Sequence, residues 1–103
     1  MLVVFTTCPN TEEAESLARK LVEEKLAGCV QIVPRITSFY HWEGEIQRDE
    51  EFLLLIKTLP EKFKDLAEFI AQNHSYSNPE IVGLDSTKVS RKYLSWLGEI
   101  LSN

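Results

Sequence analysis

The stretch that determines the fold is residues 29–58, CVQIVPRITSFYHWEGEIQRDEEFLLLIKT. Apolar and polar side chains alternate over residues 29–42, which predicts a β-strand, and Pro34 predicts a bend or bulge because it has no N–H to donate to a ladder. Glu43-Gly44 is the predicted turn, since glycine supplies the positive φ of a tight hairpin. A second long strand returns over residues 45–58, polar in its first half and apolar in its second.

The pairing register of the two strands is harder to predict than the position of the turn. A strict two-residue turn would pair Tyr40 with Gln47 and Ile36 with Glu51, which sets apolar residues opposite polar ones. We therefore expect a bulge or a different loop.

The chain before the hairpin contains one strand and one helix. Residues 2–8, LVVFTTC, form a short run rich in β-branched and apolar side chains, typical of a buried strand. Asn10 is placed as an N-cap, and the helix after it has the stripe of an amphipathic helix: Ala14, Leu17, Ala18, Leu21 and Val22. Gly28 is the predicted stop after this helix.

The chain after the hairpin contains a helix, a strand and a last helix. The second helix opens near Pro60, and its apolar stripe is Phe63, Leu66, Ala67 and Ile70. Residues 74–80, HSYSNPE, form a loop by composition, and residues 81–88 are the predicted fourth strand. Ser90 caps the last helix, which is apolar around most of its circumference, so we expect burial on more than one side.

This order of elements predicts an α+β fold. One strand, a helix, two strands, a helix and a strand make the split βαβ pattern of a ferredoxin-like βαββαβ sandwich, here with an extra C-terminal helix, and residues 1–103 are expected to be a single domain. Because crossovers are right-handed, the first and third strands are central, the second lies beside the third, and the fourth lies beside the first.

The length of the hairpin predicts a homo-oligomer. Each long strand extends ~46 Å at ~3.3 Å per residue, whereas a 100-residue globule is only about 34 Å across. The tip, roughly residues 37–49, must overhang the sheet while carrying the apolar Phe39, Tyr40 and Trp42, and a neighbouring chain could cover it. Cyclic closure is the expected symmetry, and a solvated, flexible hairpin is the rival interpretation.

Composition excludes several classes of partner. Lys and Arg number 11 against 16 Asp and Glu, a net charge of −5, which disfavours nucleic acid and anionic membranes. The longest apolar run, residues 52–56, is far below the ~20 residues of a membrane span, and residues 2–5 are too short for the apolar region of a signal peptide. Two cysteines do not make a disulfide scaffold, so we expect a cytoplasmic protein.

Topology constrains the residues that could hold a metal ion. The first two strands run parallel, so Cys8, at the end of one, and Cys29, at the start of the other, lie at opposite ends of the sheet. His74 lies at the same end as Cys8, and a thiolate with an imidazole suits copper or zinc. The alternative is a buried cysteine that packs as a small hydrophobe, beside a loop histidine that hydrogen-bonds to the backbone.

Several motifs in matching order resemble the CutA divalent-cation tolerance family. They are Thr7-x-Pro9, Leu26-Ala27-x-Cys29, Trp42-Glu43-Gly44 with Ile46 and Glu51, Lys57-Thr58, His74-x-Tyr76-x-x-Pro79-Glu80-Ile81 and Tyr93-Leu94-x-Trp96-Leu97. The resemblance implies a ferredoxin-like homotrimer held by the long hairpins, cytoplasmic in most bacteria, with copper binding, a link to metal tolerance and no assigned reaction.

The resemblance also implies which residues carry function. His74, Cys8, Cys29 and Glu51 are the metal candidates, and Trp42, Lys57 and Tyr76 are candidates for a ligand cleft between subunits. Phe39, Tyr40, Trp42 and Trp96 are expected at the trimer interface. Thr6 and Asn73 stand where some members carry a cysteine and a second histidine, so copper(II) or another divalent cation is expected to bind weakly or transiently, with no organic cofactor.

Two functional interpretations follow. The first is a non-catalytic homotrimer that binds divalent metal, with copper the leading candidate. The second is a trimeric signalling protein that senses a small molecule or nucleotide in clefts between subunits, although no glycine-rich phosphate loop supports a nucleotide specifically. Ser75 beside His74 is a weak indication of a hydrolase-type arrangement.

Overall fold

The long hairpin is the largest feature of the structure, a computed structural model that describes residues 1–102; the last residue of the expected domain lies outside the described part. The elements are β1 (Leu2–Cys8), α1 (Thr11–Glu23), β2 (Cys29–Trp42), β3 (Glu45–Thr58), a short 3₁₀ turn (Pro60–Lys62), α2 (Phe63–Asn73), β4 (Val82–Asp85) and α3 (Arg91–Leu101). The four strands form one antiparallel sheet in the order β2-β3-β1-β4. The predicted α+β, ferredoxin-like architecture and its strand order are confirmed.

The turn of the hairpin is a strict two-residue loop. Glu43 and Gly44 both have positive φ, 51° and 79°, which matches the twist of the flanking strands. Tyr40 therefore pairs with Gln47. Ile36 likewise pairs with Glu51, so our expectation that a bulge or a different loop would avoid these two pairs was wrong. The ribbon lies outside the core, where an apolar residue opposite a polar one costs little.

The predicted irregularity at Pro34 is confirmed as a β-bulge. The register shifts between Val33 and Ile36, and Arg35 takes a positive φ of 55°. The bulge separates the polar ribbon from the half of the hairpin that lies over the core. Beyond it, apolar residues of the two strands pair with each other, as Ile32 does with Leu54.

Helix α1 begins as predicted and ends differently. The Asn10 side chain accepts a hydrogen bond from the Glu13 backbone N–H at 2.8 Å. At the other end, Lys25 with φ 57° takes the left-handed position that was predicted for Gly28. Gly28 instead donates its N–H to the Lys57 carbonyl, and a Cβ at this position would collide with Leu97. This glycine is required by close packing rather than by a helix stop.

Strand β4 is shorter than the predicted 81–88. It spans Val82–Asp85 and pairs only with β1, where Asp85 lies opposite Leu2. Because β1 begins at Leu2, no further strand residue is available as a partner. One more hydrogen bond, from the Ser86 N–H to the Met1 carbonyl, extends the pairing before the chain leaves the sheet.

Helix α3 is covered on one side only within the chain. Ser90 caps it by accepting from the Tyr93 N–H, and Leu97 and Leu101 are buried. Three other apolar side chains of this helix remain about two-fifths exposed: Leu94, Trp96 and Ile100. The expectation of burial on more than one side is therefore not met by a single chain.

The hairpin overhangs the sheet as its length predicts. Strand β1 covers β3 only from Phe52 to Thr58, so residues 45–51 pair with β2 alone. The described molecule measures 44 × 25 × 22 Å. Within residues 1–102, no helix is long and apolar enough to cross a membrane.

The turn supplies a direct test of this hairpin geometry. Gly44→Ala should reduce the free energy of unfolding by about 1 kcal/mol, because an L-residue with a side chain is strained at positive φ. Gly98→Ala is the matched control: this glycine lies inside α3 with open space around its Cβ position, so the change should stabilise the protein by ~0.5–1 kcal/mol. Urea unfolding measures both, and equal effects of the two variants would contradict the strained turn.

Candidate functional site

A thiol, an imidazole and a carboxylate meet at one end of the sheet. Cys8 is the last residue of β1, His74 follows α2, and Glu13 lies in the first turn of α1. The Cys8 Sγ lies 3.9 Å from the His74 Nε2, and the His74 Nδ1 lies 3.4 Å from a Glu13 carboxylate oxygen. Their ligand atoms all lie within 4.8 Å of one another. Among residues 1–102, this is the only such group of three.

Both nitrogens of His74 already have hydrogen-bond partners. The Nε2 lies 2.7 Å from the Thr7 carbonyl oxygen, and the Nδ1 lies 3.0 Å from the Tyr76 backbone nitrogen. A carbonyl can only accept and a backbone N–H can only donate, so the assigned tautomer carries its proton on Nε2. His74, whose side chain has no exposed surface, is thereby held in one orientation.

Glu13 ties the loop after α2 to helix α1. One of its carboxylate oxygens accepts hydrogen bonds from the Ser75 backbone N–H at 3.2 Å and from the Ser75 hydroxyl at 3.0 Å. The Ser75 hydroxyl therefore donates to a carboxylate and not to His74. This contact removes the support for a hydrolase-type serine that the adjacent histidine had suggested.

The Cys8 thiol is held in its protonated form. Burial, followed by the negative charges of Glu13 and Glu51, raises its pKa to about 12. A thiol needs a depressed pKa to act as a nucleophile at neutral pH. Cys8, His74 and Glu13 therefore follow one another in space as a thiol, an imidazole and a carboxylate do in a catalytic triad, but the thiol is not activated as a nucleophile.

A second group of polar residues lies beside this cluster. Glu51, only 7% exposed, accepts a hydrogen bond from the Tyr76 hydroxyl at 2.8 Å. Burial and this bond raise the pKa of Tyr76 well above its usual value. Burial, and then the charge of Glu51, also raises the pKa of Glu80.

These residues line a groove between the overhanging ribbon and the loop at residues 74–80. Its volume is about 770 Å³, within the usual range for small-molecule sites. Five of the predicted residues line this one groove: Phe39, Tyr40, Trp42, Glu51 and Tyr76. The complete lining is Thr7, Thr37, Ser38, Phe39, Tyr40, His41, Trp42, Glu51, Ser75, Tyr76, Ser77, Asn78 and Glu80.

The other predicted residues lie elsewhere. Cys29 pairs with Lys57 across the hairpin, whereas Cys8 lies opposite Phe52, about 17 Å away at ~3.4 Å per residue. Both cysteines are free thiols. Lys57 donates a hydrogen bond to the Gln31 side chain. The metal candidate Cys29 and the cleft candidate Lys57 therefore belong to neither the cluster nor the groove.

The four residues predicted for a subunit interface are exposed in the single chain. Phe39 is 69% exposed and Trp42 47%, while Tyr40 and Trp96 are each 40% exposed. Trp96 packs against Tyr93, with 5.4 Å between ring centroids. Burial and the nearby Cys29 raise the pKa of the Tyr93 hydroxyl.

Sequence reasoning missed Glu13 and Glu80. Glu13 was not among the candidates, although α1 begins at the end of the sheet where β1 finishes, so its first turn had to lie near Cys8. Glu80 was noted only within a motif. No local pattern marks it, because the loop that carries it has no regular periodicity.

Fold and site together define a ferredoxin-like protein with donors for a soft or borderline metal ion. The family model described as CutA1 divalent ion tolerance protein matches residues 2–100. The Thermus thermophilus protein named divalent-cation tolerance protein CutA is 48% identical over 97 residues, covering 94% of each chain. The chain belongs to the CutA1 divalent ion tolerance family.

Other relatives extend this comparison. Arabidopsis thaliana protein CutA, chloroplastic, is 49% identical over 96 residues, 93% of this chain; the chain spans 53% of the length of that relative. A solved Thermus thermophilus structure superposes with a TM-score of 0.91 at 48% identity, covering 94% of this chain and 95% of that one. An Archaeoglobus fulgidus structure described as a periplasmic divalent cation tolerance protein gives 0.94 at 38% identity, with 98% and 99% covered.

The environment of Cys8 predicts selective thiol reactivity. With a pKa of about 12, only about one thiol in ten thousand is ionised at pH 8, and the side chain is buried. In a Cys29→Ser variant, iodoacetamide should therefore label Cys8 at least 100-fold more slowly in the native protein than in urea, as measured by mass spectrometry. Equal rates in the two states would contradict the structure.

Proposed function

We propose that this chain acts as a cytoplasmic homotrimer that binds divalent cations, copper(II) foremost, without catalysing a reaction. The single observation that carries the metal assignment is the group formed by Cys8, Glu13 and His74. Family membership supports a role in divalent-cation tolerance, and two free cysteines suit a reducing compartment.

The donor set fits copper or zinc better than magnesium or calcium. Sulfur and imidazole nitrogen are ligands that soft and borderline ions prefer, whereas hard cations prefer oxygen. The 3.9 Å separation of the Cys8 Sγ and the His74 Nε2 is close to the spacing of two ligands on one ion. The cation is cargo here, so nothing in the proposal requires it to be permanently bound.

Binding has to displace interactions that the protein already makes. Cys8 must lose a proton that its surroundings retain. Coordination through the His74 Nε2 costs the hydrogen bond to the Thr7 carbonyl, and moving the ring proton to Nδ1 costs the hydrogen bond from the Tyr76 N–H. These costs favour the weak or transient binding that the sequence predicts. Neither Cys29 nor Glu51 is needed for this site.

The same two features favour a role without catalysis. The Cys8 thiol is almost fully protonated near neutral pH, and the His74 Nε2 directs its proton to the Thr7 carbonyl. The His74 Nε2 is therefore not placed to accept the thiol proton. A metal ion can replace the thiol proton directly, whereas a nucleophilic mechanism needs the free thiolate.

The trimer is supported by the exposed apolar surface of the ribbon and of α3. Phe39 and Ile46 are about 70% exposed near the tip, and three apolar residues of α3 are uncovered. A two-stranded ribbon of this kind is marginal alone in water. Three copies arranged cyclically would cover the ribbons without leaving an open edge for further growth.

Oligomeric state follows directly from this proposal. Light scattering at micromolar concentration should give three times the chain mass of 11.8 kDa. Phe39→Lys should shift the mass toward one chain, because it places a charge on the surface proposed to be buried. Glu24→Lys, at an exposed polar position directly after α1, is the control for an added positive charge and should remain trimeric. A single-chain mass for the wild-type protein would overturn the trimer.

Copper(II) titration tests the metal site. His74→Ala should weaken copper(II) binding at least tenfold in calorimetry, because it removes the imidazole donor. Glu13→Gln should weaken binding by a smaller factor, because an amide oxygen is a poorer ligand than a carboxylate.

Glu12→Gln is the control for Glu13→Gln, since it makes the same change at an exposed position in the same helical turn. It should bind as the wild-type protein does. Equal copper(II) affinities for wild type and His74→Ala would end the proposal of this site.

A ligand sensor is the second candidate, and the groove is the observation that favours it. Its volume suits a metabolite, and the ribbon that lines it is the segment proposed to meet a neighbouring subunit. The acidic lining is unfavourable for a nucleotide, whose phosphates are anionic. Stabilisation by nucleotides but not by copper(II) would nevertheless favour a nucleotide sensor over metal binding.

A further inference from the structure

The groove between the ribbon and the loop at residues 74–80 combines negative charge with aromatic walls. Glu51 and Glu80 line it, and no lysine or arginine does. Four aromatic side chains contribute to its wall: Phe39, Tyr40, Trp42 and Tyr76. A concave surface of this composition repels anions and attracts cations that also have an apolar part.

Glu51 is a buried carboxylate without a cationic partner. It is 7% exposed, and its side chain accepts a hydrogen bond from the Tyr76 hydroxyl at Oε2. Among residues 1–102, no lysine, arginine or histidine of the same chain forms an ion pair with Glu51. A buried charge without a partner is costly, and a bound cation would remove that cost.

The charge of Glu51 acts across the groove. Burial is the larger cause of the raised pKa of Glu80, which lines the groove, and the negative charge of Glu51 adds to it. This agrees with a local excess of negative charge.

We propose that this groove binds a small organic cation, namely a primary ammonium group attached to an apolar or aromatic body. The ammonium would pair with Glu51, and the body would lie against the aromatic wall that includes Trp42. Such a ligand carries a positive charge, which the carboxylates attract, and an apolar surface, which the aromatic side chains contact. The inference rests on the second candidate function, to which it adds the chemical class of the ligand.

A divalent cation fits this groove less well. Hard cations need several oxygen ligands around one point, and Glu51 and Glu80 do not join any group of three converging ligands within residues 1–102. The groove is also separate from the proposed copper(II) site, because none of Cys8, Glu13 and His74 lines it. The two sites can therefore be tested independently.

Calorimetry with three probes that share one ring tests the charge preference. Benzylammonium, benzyl alcohol and benzoate differ mainly in carrying a positive, a neutral and a negative group. Benzylammonium should bind the wild-type protein at least tenfold more tightly than either of the others. Equal binding of benzoate, or no detectable binding of benzylammonium, would overturn the proposal.

Two variants with the same change in charge test the role of Glu51. Glu51→Gln should weaken benzylammonium binding at least tenfold. Glu50→Gln, at the neighbouring exposed position, should change it less than twofold. Equal losses in the two variants would mean that general surface charge explains the binding, which would overturn the assignment to Glu51.

A further variant covers the case in which Glu51→Gln does not fold. Trp42→Leu keeps an apolar side chain but removes the indole, and it should weaken benzylammonium binding at least threefold; unchanged binding would contradict the aromatic wall. Copper(II) affinity should not fall in any folded variant of the groove, because the Cys8, Glu13 and His74 donors are intact in each of them. Loss of both ligands together would place them in one site and overturn the separation proposed here.

Failure of this inference can be distinguished from failure of the second candidate function. A metabolite that stabilises the protein and lacks a cationic group would support a sensor while contradicting the cation preference. If no metabolite in a panel stabilises the protein, both the sensor function and the proposed organic-cation ligand are contradicted.

Discussion

The structure depends on the one-residue shift of register between β2 and β3. On the turn side of the bulge, the hairpin pairs as a twisted two-stranded ribbon outside the sheet. On the other side, Val30 and Ile32 pair with Ile56 and Leu54, which are fully buried. Side chains alternate between faces with a period of two, so removing the shift would turn one strand's apolar residues away from the core. The bulge therefore allows one continuous hairpin to form both part of the core and the overhanging ribbon.

Glu51 lies at the boundary between the overhanging ribbon and the part of β3 that belongs to the four-stranded sheet. It is the last residue of β3 that pairs with β2 alone, and the next residue, Phe52, lies opposite Cys8. The cluster of Cys8, Glu13 and His74 lies on the sheet side of this boundary, and both nitrogens of His74 are hydrogen-bonded there. The groove lies on the ribbon side and is open and acidic. Two adjacent sites with different chemistry thus arise from one strand crossing the edge of the sheet.

Much of the fold could be predicted because its signals are local. The caps at Asn10 and Ser90 and the turn at Glu43-Gly44 each depend on a few neighbouring residues. The length of β4 could not be predicted, since it is limited by where β1 begins. The stop of α1 was also misplaced, because Gly28 is required by contact with distant Leu97. Errors therefore occurred where a distant partner decided the outcome.

For the site, the amino-acid sequence alone determined that Cys8 and His74 lie at one end of the sheet and Cys29 at the other, because strand direction follows from the order of elements. It also determined an overhanging hairpin, because strand length depends only on the number of residues. Tertiary structure alone decided that Glu13 completes the cluster, that both nitrogens of His74 are occupied, and that Glu51 is buried beside an open groove. Those features depend on distances between side chains from separate elements, which a periodic pattern does not encode.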